Sequence, residues 1–477
     1  MPILASLFFL ILNASLAALA PQAEWVWVAL ISNAGSLWAF LALRNQLPAP
    51  LRLTATGLVM VFLLNYHMQI FLVDWLYYST SFDALWRDFS LRRLDGSMSA
   101  RAESIYLITT AFGLICAGLT ACASFCRGGG LWQQQSGIAQ VHQGQRASNT
   151  LWIIFAFGSG TALLGVLIQV TFGVGALTAE RAFAGRWDGV FYHGLVTLTP
   201  LLFMAVHWES LRKGHTALAR FSLLAYGGLA IVETAMMSSR GFVVLQMLPF
   251  VLLYLWMGYP PRRLLSMGAA TIALTLMLYP VMTTVRTLRS VSGYGAADSI
   301  STALSSSSNE GSDIAANLVR MSARFIGYTS YLTSLERPDT RFDWSYLDLD
   351  RIITLRENGF TRFFTEEIAG FGAGIRGHFS SPGLLGAAQI IGGPALVLAV
   401  PPLFALITMW TIRFLCRWKS RLGPLVPVNV LASLLFLFEE GVFDLIFTRL
   451  LLVTLALVLL NWLFHFSVPD EQGPATA

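Results

Sequence analysis

Long apolar runs separated by short polar turns make up most of the chain. Runs approaching or exceeding the roughly 20 residues that cross a bilayer as a helix are predicted at about 2–20, 25–43, 55–77, 105–125, 151–174, 190–208, 221–237, 242–258, 264–285, 384–411, 425–438 and 446–466. The pattern predicts an all-α polytopic integral membrane protein of about twelve transmembrane helices. One stretch breaks it. From Arg286 to about Pro382 the chain is polar, holds ten of the thirty-one basic residues, and ends in Gly372, Ala373, Gly374, Ile375, Arg376, Gly377, His378. The expected organisation is therefore spans one to nine over 1–285, a long extracytoplasmic loop or cap over 286–383, spans ten to twelve over 384–466, and a cytoplasmic tail over 467–477.

Within the polar stretch, 296–311 with its run Ser305, Ser306, Ser307, Ser308 has linker composition. Ser312 is placed to cap a helix from Asp313 to about Glu336, which Pro338 ends. On that helix Arg320, Arg324, Tyr328 and Tyr331 recur every three or four residues and share a face. A second short amphipathic piece runs from Leu347 to Arg356 and stops at Asn358, Gly359. The spacing predicts a helical cap between spans nine and ten.

Composition agrees with the pattern. With 55% apolar and 12% charged residues, the chain lies far from the soluble norm of about 45–50% and about 25%. The net charge of +5 does not imply nucleic acid, because the basic residues sit in small groups between spans. One set of loops carries Arg44, Arg52, Arg127, Arg146, Arg212, Lys213, Arg220, Arg262, Arg263, Arg413, Arg417, Lys419 and Arg421, with Glu209 as the only acid. The opposite loops mix signs. The positive-inside rule then puts both termini in the cytoplasm and the long loop outside. The first run resembles a signal peptide at Ala18, Leu19, Ala20, but its start has no Lys or Arg, so a retained span is expected. Cys116, Cys122, Cys126 and Cys416 lie in or beside spans. They offer no disulfide framework and no metal set, and packing explains them.

Several residues have the character of chemistry. Glu233 lies inside the seventh run, where a charge needs a cavity or a partner, and Arg240 follows seven residues later on nearly the same face. The two either fix a pair of helices or, with the guanidinium fork of Arg240, hold a phosphate at the membrane surface. Arg286 and Arg289 leave the ninth run one turn apart, and Arg181 and Arg186 flank an aromatic loop ending in Trp187. Each is an interfacial anchor or part of a site for an anionic headgroup. Gly372, Gly374 and Gly377 have dinucleotide-fingerprint spacing, but no strand precedes them. His378, two residues after Arg376, is either an idle interfacial side chain or a base for a sugar hydroxyl. Tyr66, His67, Gln69 and Asp74 make the third run unusually polar and line a cavity or pack between helices. Glu439 and Glu440 are an acidic turn or orient an acceptor.

Ser238, Ser239, Arg240, Gly241 at a tight hairpin, the basic turn Arg262, Arg263, and Ser380, Ser381, Pro382, Gly383, Leu384, Leu385, Gly386 leading through Gln389 to Gly392, Gly393 together resemble Wzy-type O-antigen and oligosaccharide repeat-unit polymerases over about 233–407. The O-antigen ligases are similar, with a large outer loop between spans nine and ten. The resemblance implies a metal-independent membrane glycosyltransferase without cofactor, acting on undecaprenyl-diphosphate-linked glycans at the outer face of a bacterial inner membrane. A chain-length regulator and a flippase would be its partners, and the product an O-antigen, capsule or exopolysaccharide. It also implies Arg240, Arg286 and Arg289 as diphosphate contacts and His378 as the base; Arg376, Arg181 and Arg186 are further candidates for the diphosphate by charge and position, and Glu233 a second catalytic candidate. Arg320, Arg324 and Tyr328 would form a glycan face. In one respect the chain departs from the pattern: the arginine, ten residues, glycine spacing of some polymerases is matched only by Arg362 to Gly372, one residue short. A ligase, or a transporter of lipid-linked oligosaccharides, is the alternative.

Overall fold

The computed structural model describes residues 26–70, 98–125, 149–172, 197–237, 242–259, 269, 273, 302, 327–335, 337–347, 359–368, 382–417, 422–440 and 450–467. Among them the regular elements are all helical and no strand occurs. Five helices are long and apolar enough to cross a membrane: Ala49–Ile70, Glu103–Ala123, Asn149–Ile168, Thr216–Glu233 and Pro394–Leu415. A further apolar helix shows large apolar side chains on its outer face. In α1 (Val26–Leu43) Ser32 is 0% exposed and Ser36 is buried, whereas Ile31 and Trp38 face outward. Small polar residues let helix backbones approach, and the large apolar ones face lipid. This arrangement is compatible with a multi-pass membrane protein.

By packing, the chain forms two units, each assembled from separated segments. The first comprises 1–132, 312–414 and 431–448. Here α1 lies along α3 (Met98–Phe125), and α2 (Ala49–Ile70) also packs on α3. Pro48 precedes α2 and Pro50 lies in its first turn, where a missing N–H costs nothing. Near its end α2 widens into a π-turn at Leu63–His67, an insertion that turns side chains off the α-helical register. On α2, α3 and this turn sits α8 (Gly327–Leu335), which also packs closely on α10 (Gly383–Gly392).

The second unit comprises 133–311, 415–430 and 449–477. It is built around α5 (Thr199–Arg212), whose residues Thr199–Val206 are all buried. Against it pack α4 (Asn149–Phe172), α6 (Thr216–Met237) and α13 (Leu451–Ser467), and α6 packs in turn on α7 (Phe242–Trp256). The boundary between units falls within α12 (Leu425–Glu440), at Val430/Leu431. Glu209, the acid among the basic loops, is fully buried and bonded through both oxygens to Arg212 at 2.8 and 3.0 Å.

The tenth span differs from its expectation. A continuous helix over 384–411 is replaced by α10 and by α11 (Pro394–Leu415), separated at Gly393. Pro394 has no N–H to continue the ladder and disfavours a helical residue before it, and Gly393 takes φ +71 at no steric cost. Ten residues make about 15 Å of helix, half of the roughly 30 Å hydrocarbon core. The span is therefore α11, with Leu403, Ile407, Trp410 and Phe414 as its exposed stripe.

The polar stretch has its own small core where it is described. Phe342, Phe360, Phe363, Phe364 and Ile368 cluster with Ile390 of α10. Phe342 and Phe360 stack at 4.2 Å, and the Phe342 N–H donates to the Ile390 carbonyl at 2.9 Å. Phe360, Phe363, Phe364 and Ile368 come from the short helix α9 (Gly359–Phe363) and the π-turn Phe364–Ile368, where no element was expected. The expected piece at 347–356 lies outside the described residues beyond Leu347.

Candidate functional site

Of the residues expected to act in catalysis or to bind diphosphate or glycan, Glu233 and Tyr328 are described. Arg181, Arg186, Arg240, Arg286, Arg289, Arg320, Arg324, Arg376 and His378 lie outside the described residues, as do Asp74 and the glycines 372, 374 and 377. Glu233 belongs to the second unit. It is fully buried on α6, and among the described residues neither carboxylate oxygen has a hydrogen-bond partner. Two turns earlier on the same helix, the Tyr226 hydroxyl bonds to the carbonyl and side-chain oxygens of Gln246, tying α6 to α7. A carboxyl group left without donors in so dry a place is costly to keep charged.

Tyr328 belongs to the first unit and is 0% exposed, as is Tyr331 one turn on. Of the helix expected from Asp313 to about Glu336, 313–326 lie outside the described residues, and Gly327–Leu335 is helical as α8. Its tyrosines, however, are on its packed side. Tyr328 thus presents no ring to solvent, and the expected glycan face loses it because burial against neighbouring helices stabilises an aromatic side chain more than exposure does.

What the first unit does assemble is a polar cluster at the π-turn. Asn33 of α1 hydrogen-bonds His67 of the π-turn at 3.0 Å, between Nδ2 and Nε2. The His67 ring lies 4.9 Å from that of Phe112 on α3 and 6.0 Å from that of Phe62 on α2. Next to it, the Tyr66 hydroxyl accepts the Leu385 N–H at 3.0 Å. Leu385 lies in the first turn of α10, where N–H groups have no intrahelical partner, and Pro382 before it supplies no side-chain cap. Tyr66 supplies the missing acceptor. The same corner holds Gly327 and Gly383: a Cβ on Gly327 would come 2.9 Å from Tyr66 Cζ, and one on Gly383 would come 3.0 Å from Gly327 Cα. Only glycines let α8, α10 and the π-turn meet so closely.

Among the described residues of this unit, Ser32 Oγ, Asn33 Oδ1, Asn65 Oδ1, His67 Nδ1, Thr109 Oγ1 and Tyr331 OH are buried with no hydrogen-bond partner. Elsewhere in the same unit hydroxyls bond to the preceding turn of their own helix, as Ser36 does to the Ser32 carbonyl at 2.8 Å and Thr120 to Cys116 at 2.6 Å. Gln389 Oε1 on α10 and Thr408 Oγ1 on α11 are likewise buried with no partner among the described residues, so such groups are spread over the unit.

The sequence points to Tyr66 and His67 but not to Asn33, Asn65 or Thr109. Ser32, Asn33 and Ser36 within one apolar run were the available signal. The π-turn leaves no such trace.

The chain matches no known family, no curated protein and no solved structure.

Proposed function

We propose that the protein is an integral-membrane glycosyltransferase that polymerises undecaprenyl-diphosphate-linked repeat units into a surface polysaccharide at the outer face of the bacterial inner membrane. The observation that supports this reading is the docking of the polar stretch. Its helix α8 is seated on α2, α3 and α10, and its phenylalanine core is built onto Ile390. A long loop folded down onto membrane helices suits an enzyme that must hold two lipid-linked glycans in register. A transporter needs a passage through its spans more than a seated cap.

In this reading the loop arginines carry the charge chemistry. Arg240, Arg286, Arg289 and Arg376, with Arg181 and Arg186, neutralise the diphosphate as it leaves, an electrostatic contribution that needs no metal. Holding donor and acceptor together contributes an orientation term of comparable size. His378 takes the proton of the acceptor hydroxyl, with Glu233 as the second catalytic candidate.

The test is the glycan profile of cells lacking the protein. Single repeat units are expected to reach their final carrier while long chains vanish. Complete loss of attachment identifies a ligase, and units retained on the inner leaflet identify a transporter. Arg240→Ala and Arg286→Ala are each expected to remove polymer while the protein remains in the membrane. Normal chain length in both variants overturns the diphosphate role.

A further inference from the structure

We propose that Trp344 anchors the cap in a lipid surface, with its indole in the headgroup layer at the Pro394 end of α11. The places where large apolar side chains are exposed carry the argument. Among the described residues, all but one lie in or directly beside the helices α1, α2, α4, α5, α6, α11 and α13, where a bilayer would cover them. The exception is Trp344, which is 63% exposed. It belongs to the cap, in the short turn Trp344–Tyr346, and Arg341, Asp343 and Ser345 beside it are exposed as well.

The turn is held in place, so the exposure is built in. Asp343 Oδ1 accepts the Ser345 N–H at 2.9 Å, and the indole meets the buried Phe342 ring edge-on, at 5.3 Å and 89°. Phe342 donates its N–H to the Ile390 carbonyl, and Arg341 Nη1 donates to the Gln389 carbonyl at 3.0 Å. The Arg341 guanidinium also lies against Gly393, 3.4 Å from where a Cβ would stand. Residues 341 and 342 are thereby fixed to the bend from which α11 starts, and two residues of chain reach only about 7 Å further.

That bend has a definite depth. The 22 residues of Pro394–Leu415 make about 33 Å of helix, which matches the roughly 30 Å hydrocarbon core. The Pro394 end therefore lies at one surface of the core, where a headgroup layer of roughly 5–8 Å begins. Tryptophan favours this layer, because its ring is apolar and its N–H seeks a wet partner. The other end of the same span shows the pattern: Trp410, 70% exposed, stands five residues before Leu415, near Arg413. On α1, exposed Trp38 stands five residues before Leu43, which Arg44 follows. Arg337 and Arg341 balance Asp339 and Asp343 in the loop, so no net charge repels a phospholipid headgroup. A glycan or a partner protein would also cover an indole, but neither explains why the exposed ring stands at the end of a span.

This goes beyond the polymerase reading and does not rest on it. The test uses the full chain labelled with 5-fluorotryptophan, in nanodiscs of phosphatidylethanolamine and phosphatidylglycerol, with no glycan added. The 19F signal of Trp344 is assigned by its loss in Trp344→Phe, or in Trp344→Tyr if the first variant does not fold, and that of Trp410 in the same way. Two paramagnetic probes are compared, a phospholipid with a nitroxide at the top of its acyl chain and a water-soluble gadolinium chelate. The lipid effect is scaled to that on Trp410, and the chelate effect to that on free 5-fluorotryptophan. On these scales the Trp344 signal is expected to lose more intensity to the lipid than to the chelate. The proposal is overturned if the chelate acts as strongly as the lipid or more so, which leaves the ring in water for a glycan or protein to cover. It is overturned too if neither probe reaches the ring, which places it under protein. Because no glycan takes part, failure of the polymerase reading leaves the result unchanged.

Discussion

Tyr66 joins three parts of the first unit. Its hydroxyl caps the start of α10, its ring lies against Gly327 of α8, and its backbone belongs to the π-turn. Tyr66→Phe keeps the ring but leaves the Leu385 N–H buried without an acceptor, at a cost of about 1–3 kcal/mol. Gly327→Ala places a methyl group 2.9 Å from the Tyr66 ring, and overpacking of this kind costs about 1–3 kcal/mol. Gly160→Ala in α4, where a Cβ meets nothing within 4 Å, is expected to stay within about 1 kcal/mol of wild type. Denaturant unfolding of the detergent-solubilised protein checks all three, and a large loss in Gly160→Ala with none in Gly327→Ala would contradict the packing described for Tyr66.

The cap's second half is held by side chains from two short elements. Tyr346 donates to Glu367 at 3.0 Å and Glu366 at 3.3 Å, with the Arg362 guanidinium 5.3 Å from its ring centre. Arg362 also pairs with Glu366 at 3.1 Å, and Arg337 donates to the Glu367 carbonyl. Burial first, and then the Glu367 carboxylate that accepts its proton and neighbouring Glu366, push the Tyr346 phenol up from 10.0 to about 12. An upward shift means that the folded cap favours the protonated phenol. Its contribution is present in full below pH 10 and lost as pH rises through about 12. The stability difference between wild type and Tyr346→Phe, about 1 kcal/mol for an exposed hydrogen bond, is therefore expected to be flat to pH 10 and to vanish above about 12. Unfolding midpoints of the pair across alkaline pH measure it, and a difference that persists above that pH would exclude the phenol's proton as its source.

The placement of α10 and α11 shows how far local signals reach. Gly392, Gly393 and Pro394 are a plain stop and restart once the break is known, yet they sit in an apolar run long enough to read as one span. The phenylalanines of 359–364 carry no helical periodicity that reveals α9. Their cluster forms only because Phe342 and Ile390, distant in sequence, come to meet them.

Across the whole molecule, charge gives the strongest directional signal. The acid of the basic loops, Glu209, is neutralised by Arg212, which leaves those loops more uniformly positive. If they face the cytoplasm and the cap faces outward, then Ser345→Cys, in the exposed part of the cap, is labelled by a membrane-impermeant maleimide in intact spheroplasts. Lys213→Cys, in a cysteine-free background, is labelled only after permeabilisation. The reverse pattern would invert the topology.

The apolar runs and their spacing were enough to establish a helical membrane protein, because crossing a bilayer requires long segments whose backbone groups are satisfied within each helix. Runs of loop arginines likewise carried the expected orientation. The division into two units, the π-turn and the burial of Tyr328 depended on packing between segments far apart in the chain. So did the meeting of Asn33 with His67. Hydrogen bonds between distant helices, and the close approaches that glycine permits, arise from three-dimensional contact, for which neither hydropathy nor periodicity has a term.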